Sequence, residues 1–109
     1  MPSPLISNLE KMLDTPRDGA LLRYSLGSEY LKMGEHARAA EYLREAVARD
    51  PAYSAAWKAL GKALVECGQA AEALDAYRHG IEAARAKGDR QAEKEMTVFA
   101  RRLERSAAG

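Results

Sequence analysis

The chain has 109 residues, with 17 Lys and Arg against 16 Asp and Glu, for a formal charge of +1. That length suits one domain, which would bury roughly 65% of its unfolded surface, enough for a core without disulfide or metal staples. Interspersed acids and bases exclude the strong field that draws nucleic acid or an anionic membrane, no apolar run approaches the ~18 residues of a spanning helix, and abundant alanine with few β-branched residues predicts an all-α protein.

The N-terminus lacks a basic region followed by an apolar core, so no signal peptide is expected. Residues 4–13 form the first predicted helix, with Ser3 as N-cap and Pro4 at the first helical position. Leu5, Leu9, Met12 and Leu13 share one face, and Asn8, Glu10 and Lys11 oppose it. So short a helix is marginal alone, so it is expected either to dock on something or to be partly disordered. Asp14-Thr15-Pro16 breaks the pattern. The spacing then predicts helices over about 18–33, 36–49, 54–67 and 70–86. Gly34 and Gly68 suit the left-handed conformation that ends a helix, and Asp50-Pro51 closes the second of the four, since proline disfavours helix at the residue before it. Lys87-Gly88-Asp89 reads as a stop followed by a new N-cap. A long helix over about 90–105 follows, with Ala92, Met96, Phe99, Ala100 and Leu103 as its apolar stripe and charge on its other faces. Ser106 to Gly109 is expected to be a frayed tail.

Residues 20–53 and 54–87 read as two copies of one helix–turn–helix unit. Leu26-Gly27 returns as Leu60-Gly61, Gly34 as Gly68, Ala39 as Ala73, and the bulky Leu43 as Tyr77. Trp57, Leu60, Gly61 and Leu64 fall on one helical face. A glycine there costs roughly 1 kcal/mol against alanine, so its recurrence predicts close approach of a partner helix. The link from Gly34 or Gly68 to the next helix is short enough to force an antiparallel hairpin. The inner stripes of the second helices are Ala39, Ala40, Leu43, Ala46 and Val47, then Ala73, Leu74, Tyr77, Gly80 and Ile81.

The period and these residues resemble the tetratricopeptide repeat family. Trp57, Leu60-Gly61, Leu64, Ala73 and Tyr77 match its pattern in the second copy, and Leu26-Gly27, Tyr30, Ala39, Leu43, Ala46 and Pro51 in the first. Arg23 stands where the family prefers Trp, Gly80 replaces an expected alanine, and Arg85 replaces the closing proline. The resemblance implies one domain over residues 1–109: a right-handed superhelical stack of antiparallel helix hairpins, flanked by the N-terminal helix and a C-terminal capping helix. Two repeats are fewer than the three or so that stacking usually needs. The flanking helices would supply the missing apolar surface and leave a monomer; if they do not, the open end would pair with another copy as a homodimer.

No catalytic set is found. His36 and His79 have no second histidine or cysteine at metal spacing, and Glu82, three residues from His79, reads as its surface ion-pair partner. Cys67 reads as a buried small hydrophobe that cannot form an internal disulfide, in keeping with a reducing, cytoplasmic setting. Neither an enzyme nor a cofactor is expected. The family resemblance puts the first helix of each pair on the concave side. With Trp57, Leu60 and Leu64 in the core, Lys58, Lys62, Val65 and Glu66 turn toward a groove, and Tyr24, Ser28, Leu31 and Lys32 match them in the first copy, with Leu21 beside them. Lys58 and Lys62 repel unless an anion lies between them or Glu66 offsets them. Such a groove would hold a peptide or amphipathic helix with an acidic group beside an apolar anchor; the bland alternative is a solvated charged face. Some family members clamp acidic chaperone tails with lysines and asparagines, but Tyr24, Ser28 and Ala59 replace three of those positions. The expected role is an interaction module, with a homo-oligomerising subunit as the alternative. Nucleic-acid binding through Arg101, Arg102 and Arg105 is disfavoured by the interleaved glutamates.

Overall fold

Ser3 starts the first helix by accepting a hydrogen bond from the Ile6 amide at 3.1 Å, and from there to Ala108 the computed structural model describes residues 3–108. They form six helices and no strand: α1 (Pro4–Glu10), α2 (Ala20–Lys32), α3 (His36–Arg49), α4 (Ser54–Glu66), α5 (Ala70–Lys87) and α6 (Arg90–Ala108). The expectation of an all-α hairpin stack with a helix at either end describes the architecture. α2 packs on α3, α4 on α5, and α3 on α4, while α1 lies on α2 and α6 on α5. The stack measures 43 × 30 × 19 Å.

Glycine at position 61 is a packing requirement. A Cβ there would lie 2.5 Å from Cε1 of Tyr77, so its absence lets the ring of α5 lie flat on the backbone of α4. Gly27 stands in the same relation to Leu43 between α2 and α3. Gly80, the departure from the family pattern, has its own reason: a Cβ on it would collide with the Met96 sulfur of α6 and lie 2.9 Å from Cβ of Trp57. The missing methyl admits the capping helix. Met96 is fully buried and forms, with Tyr77, Ala84 and Ala100, the small core beneath α6; Leu26, Leu43, Leu60 and Leu64 belong to the main one.

Four local expectations are corrected. The helical stretch at the N-terminus ends at Glu10, not residue 13. Met12 and Leu13 close three-residue turns, and Asp14 enters the left-handed region at φ 61° ahead of Thr15-Pro16. α1 is also rotated from the expected face. Ile6 is fully buried, Leu5 is 49% exposed, and Glu10 faces inward, where its carboxylate accepts the hydroxyls of Tyr30 at 3.0 Å and Tyr42 at 3.3 Å. Those bonds tie α1 to both helices of the first hairpin, and burial together with the Glu10 contact pushes both phenol pKa values up. Third, His79 does not pair with Glu82, which binds Arg85 at 2.7 Å. The His79 ring stacks on Trp57 with centroids 4.8 Å apart. Fourth, the C-terminal residues continue α6 through Ala108 instead of fraying; Gly109 lies outside the described residues.

Arg23 fills the place of the family's Trp by a different means. Its guanidinium is held in fork geometry by Asp18, Nε to Oδ1 at 3.0 Å and Nη2 to Oδ2 at 2.7 Å. Both side chains are largely covered, at 13% and 8% exposure. Asp18 also accepts the Asp14 amide, so one carboxylate fastens the α1–α2 loop. The Arg23 bond and the Asp14 amide lower its pKa to about 2.

Candidate binding groove

The repeat period sets two rows of side chains in register. Tyr24, Ser28, Leu31 and Lys32 of α2 stand thirty-four positions before Lys58, Lys62, Val65 and Glu66 of α4. α2 and α4 touch side by side, so rows at one angle on each helix point to one surface.

Three clefts follow that surface. The first, about 620 Å³, lies between α1 and α2 and is lined by Leu5, Leu9, Tyr24, Ser25, Ser28, Glu29, Leu31, Lys32 and Lys62. The second, about 460 Å³, is lined by Tyr24, Leu31, Ala55, Lys58, Ala59, Lys62, Tyr77 and Phe99. The third, about 180 Å³, is lined by Lys62, Val65, Glu66, Tyr77, Phe99, Arg102 and Leu103. Shared walls join them into one groove: Tyr24, Leu31 and Lys62 between the first two, and Lys62, Tyr77 and Phe99 between the last two.

Of the nine residues expected from the sequence, Tyr24, Ser28, Leu31, Lys32, Lys58, Lys62, Val65 and Glu66 line these clefts. Leu21 does not; it sits in the first turn of α2, 68% exposed and beyond the cleft walls. Spacing had assigned Tyr77 and Phe99 to core stripes. Their rings, 5.5 Å apart, form part of the groove floor, because the bare backbone of Gly61 lets the Tyr77 ring reach the concave side. Leu5 and Leu9 join the wall because Ile6, not Leu5, is the fully buried residue of α1, which leaves Leu5 turned outward beside Leu9. The flanking helices therefore wall the two ends of the groove without filling it. Tyr24 is braced by Tyr53, with centroids 4.9 Å apart.

The electrostatics differ from the expected lysine pair. Lys58 does not share an anion with Lys62; its ammonium donates to Glu95 of α6 at 2.6 Å. That bond, with a second from Gln91, lowers the Glu95 pKa. Lys32 binds Glu29 at 2.9 Å, and Glu66 turns toward His36, 4.0 Å from its Nε2. Lys62 is exposed and forms no ion pair among the described residues, although it lines all three clefts. Arg102 at the far end lies over the Phe99 face at 6.0 Å. Burial pushes the Tyr77 phenol up to about 12. The groove thus offers aromatic and aliphatic floor, one uncommitted ammonium and one guanidinium. No group of three or more His, Cys, Asp or Glu among the described residues could hold a metal ion, and no helix there is long and apolar enough to cross a membrane.

Comparisons agree with this architecture. The family model for the tetratricopeptide repeat matches residues 24–90. A TPR repeat-containing protein of Pseudomonas aeruginosa is 52% identical over 102 residues, covering 94% of this chain and 97% of its own. The solution structure of a Bordetella parapertussis protein superposes with a TM-score of 0.80 at 42% identity, over 99% of this chain and 93% of the other. The Sgt2 TPR domain from Aspergillus fumigatus superposes with a TM-score of 0.74 at 26% identity, over 95% of this chain and 69% of the other. The chain belongs to the tetratricopeptide repeat family, whose fold generally mediates protein–protein interaction.

Proposed function

We propose that the protein is an adaptor whose concave groove binds a peptide or helix of another protein, with a carboxylate of the partner beside an apolar anchor. One observation carries this reading: Lys62, exposed and without an ion-pair partner among the described residues, stands at the junction of all three clefts, against a floor of Tyr24, Leu31, Tyr77 and Phe99. An apolar side chain seated on that floor would bring a neighbouring Asp or Glu to the ammonium, and removal of water from the floor would strengthen the pair. Self-assembly through open stack ends is the weaker reading, because α1 covers the first hairpin with Ile6 and Leu9, joined by Met12 of the turn that follows, and α6 covers the second with Met96 and Ala100. A cytoplasmic setting fits this role and the free thiol of Cys67.

The test is selection of peptides from a random library on the full chain, followed by amide chemical-shift mapping of the selected sequences. The expected motif pairs an acidic residue with a large apolar one. Shifts should fall on α2 and α4, and Lys62→Glu should abolish binding without loss of helicity. Peptides with no acidic preference, or undiminished binding by the Lys62→Glu protein, would sink the site.

A further inference from the structure

α6 carries three glutamates, and each is held by a cation of the helices beneath it. Glu93 meets Arg85 at 3.1 Å, Glu95 meets Lys58 at 2.6 Å, and Glu104 meets Arg78 at 3.0 Å. Read as sequence, the polar side of this helix is a mixture of signs. Glu104 stays 49% exposed at the flank, but each acid is paired and none falls in the outermost sector of the helix. At about 100° per residue, Arg90, Lys94, Val98, Arg101 and Arg105 fall within about 80° of the helix circumference, opposite the buried Met96. All five are exposed, Val98 at 45%. The four cations take part in no ion pair among the described residues. They form a continuous row about 22 Å long with one aliphatic side chain at its centre.

We propose that this row is a second interaction surface, separate from the groove, and that it docks an acidic amphipathic helix of a partner protein. The sign of the row requires a negative partner. Its straightness and its spacing of three and four residues match acidic residues at the same spacing on a second helix laid alongside. Val98 supplies the apolar contact that such a helix would cover with its own apolar residue. The row is presented on a helix already held by Met96 and Ala100, so little ordering opposes docking. A lipid surface fits less well, since one exposed valine gives almost nothing to insert. A long nucleic acid fits less well too: the row holds four of the 17 basic residues, and without them the 16 acids outnumber the bases by three, so the rest of the surface repels a polyanion. The row also has no aromatic side chain on which a base could stack.

The experiment uses the full chain and a fluorescent synthetic helix of about 20 residues with Glu at positions four apart on both sides of a leucine. Anisotropy at low salt should show saturable binding that weakens as salt rises. Lys94→Glu/Arg101→Glu should weaken it at least about tenfold, with unchanged circular dichroism because both side chains are on the open face. The same comparison is made in the Lys62→Glu background, where the groove no longer takes an acidic ligand, and the double reversal should weaken binding there by the same factor. The proposal is overturned by failure of the acidic helix to bind, by equal binding of a Gln-for-Glu control, or by indifference to the double reversal. Loss of binding in Lys62→Glu would return the site to the groove. Tighter binding of a single-stranded oligonucleotide of equal charge, or a concentration-dependent dimer removed by the double reversal, would assign the row to nucleic acid or to a second copy instead.

Discussion

The ammonium of Lys58 in α4 lies 2.6 Å from the carboxylate of Glu95 in α6, so the capping helix supplies the counter-charge that an acidic ligand would bring to that part of the groove. Both side chains are more than a third exposed, at 39% and 37%, and such a pair adds little to stability. Its effect is on charge. Glu95→Gln should leave the thermal midpoint nearly unchanged and should raise affinity for acidic peptides selected on the groove severalfold, because Lys58 then becomes available. Fluorescence anisotropy with wild type and variant side by side measures this; equal affinities would mean that Lys58 takes no part in binding.

Two of the three interior glycines, Gly61 and Gly80, predict an inversion of helix propensity through their tight packing. Alanine is favoured over glycine in a helix by roughly 1 kcal/mol, so Gly61→Ala would stabilise an open site. Here the new methyl would press on the Tyr77 ring at 2.5 to 2.8 Å, and overpacking of this kind typically costs about 1–3 kcal/mol. The ring is only 4% exposed and three of its atoms face the new methyl, so the clash should dominate. Gly80→Ala meets the movable Met96 thioether but also Cβ of Trp57, which cannot move. Urea unfolding should show both variants less stable than wild type, and a rise in midpoint for either would contradict the packing described.

Acid should release the α1–α2 loop late. The Asp18 carboxyl sits at about 2 in the fold against an ordinary 3.8, so the folded state holds its charged form more tightly than the unfolded chain does. Its contribution is therefore complete above about pH 4 and is lost as pH falls through about 2. Thermal midpoints of wild type and Asp18→Asn should differ near neutrality and converge over that interval. Parallel curves down to the lowest pH would show that Asp18 is not the group fastening the loop.

α1 should be part of the cooperative fold. Ile6 is fully buried, and Ile→Ala at such a site typically costs about 2–5 kcal/mol. Glu10 adds bonds to Tyr30 and Tyr42. Denaturant unfolding of Ile6→Ala should show a loss in that range with a single transition. A loss below about 1 kcal/mol would mean that α1 frays independently of the stack, which would also remove Leu5 and Leu9 from the groove wall.

Period and spacing alone specify much of this molecule. A helix repeats its face every three or four residues, so the sequence carries the direction of Leu60, Leu64 and Met96 into the core and of Tyr24, Ser28, Lys58 and Lys62 away from it. The recurring Leu-Gly pairs specify the close helix contacts, and the short links after Gly34 and Gly68 specify the antiparallel hairpins. What sequence spacing does not carry is the partner of a side chain across helices. Lys58 and Glu95 are 37 positions apart, and only the packing of α6 on α4 and α5 brings them together. The same packing pairs all three glutamates of α6 with cations of α4 and α5 and turns the sector of Arg90, Lys94, Arg101 and Arg105 outward, where the residue order alone shows alternation. At the N-terminus, a helix of seven residues is too short for its apolar pattern to fix its rotation; burial of Ile6 and the reach of Glu10 to two tyrosines decide it. The docked end helices then turn two repeats into a closed stack with an open concave face, a property that belongs to the assembled surface and to no single segment of the chain.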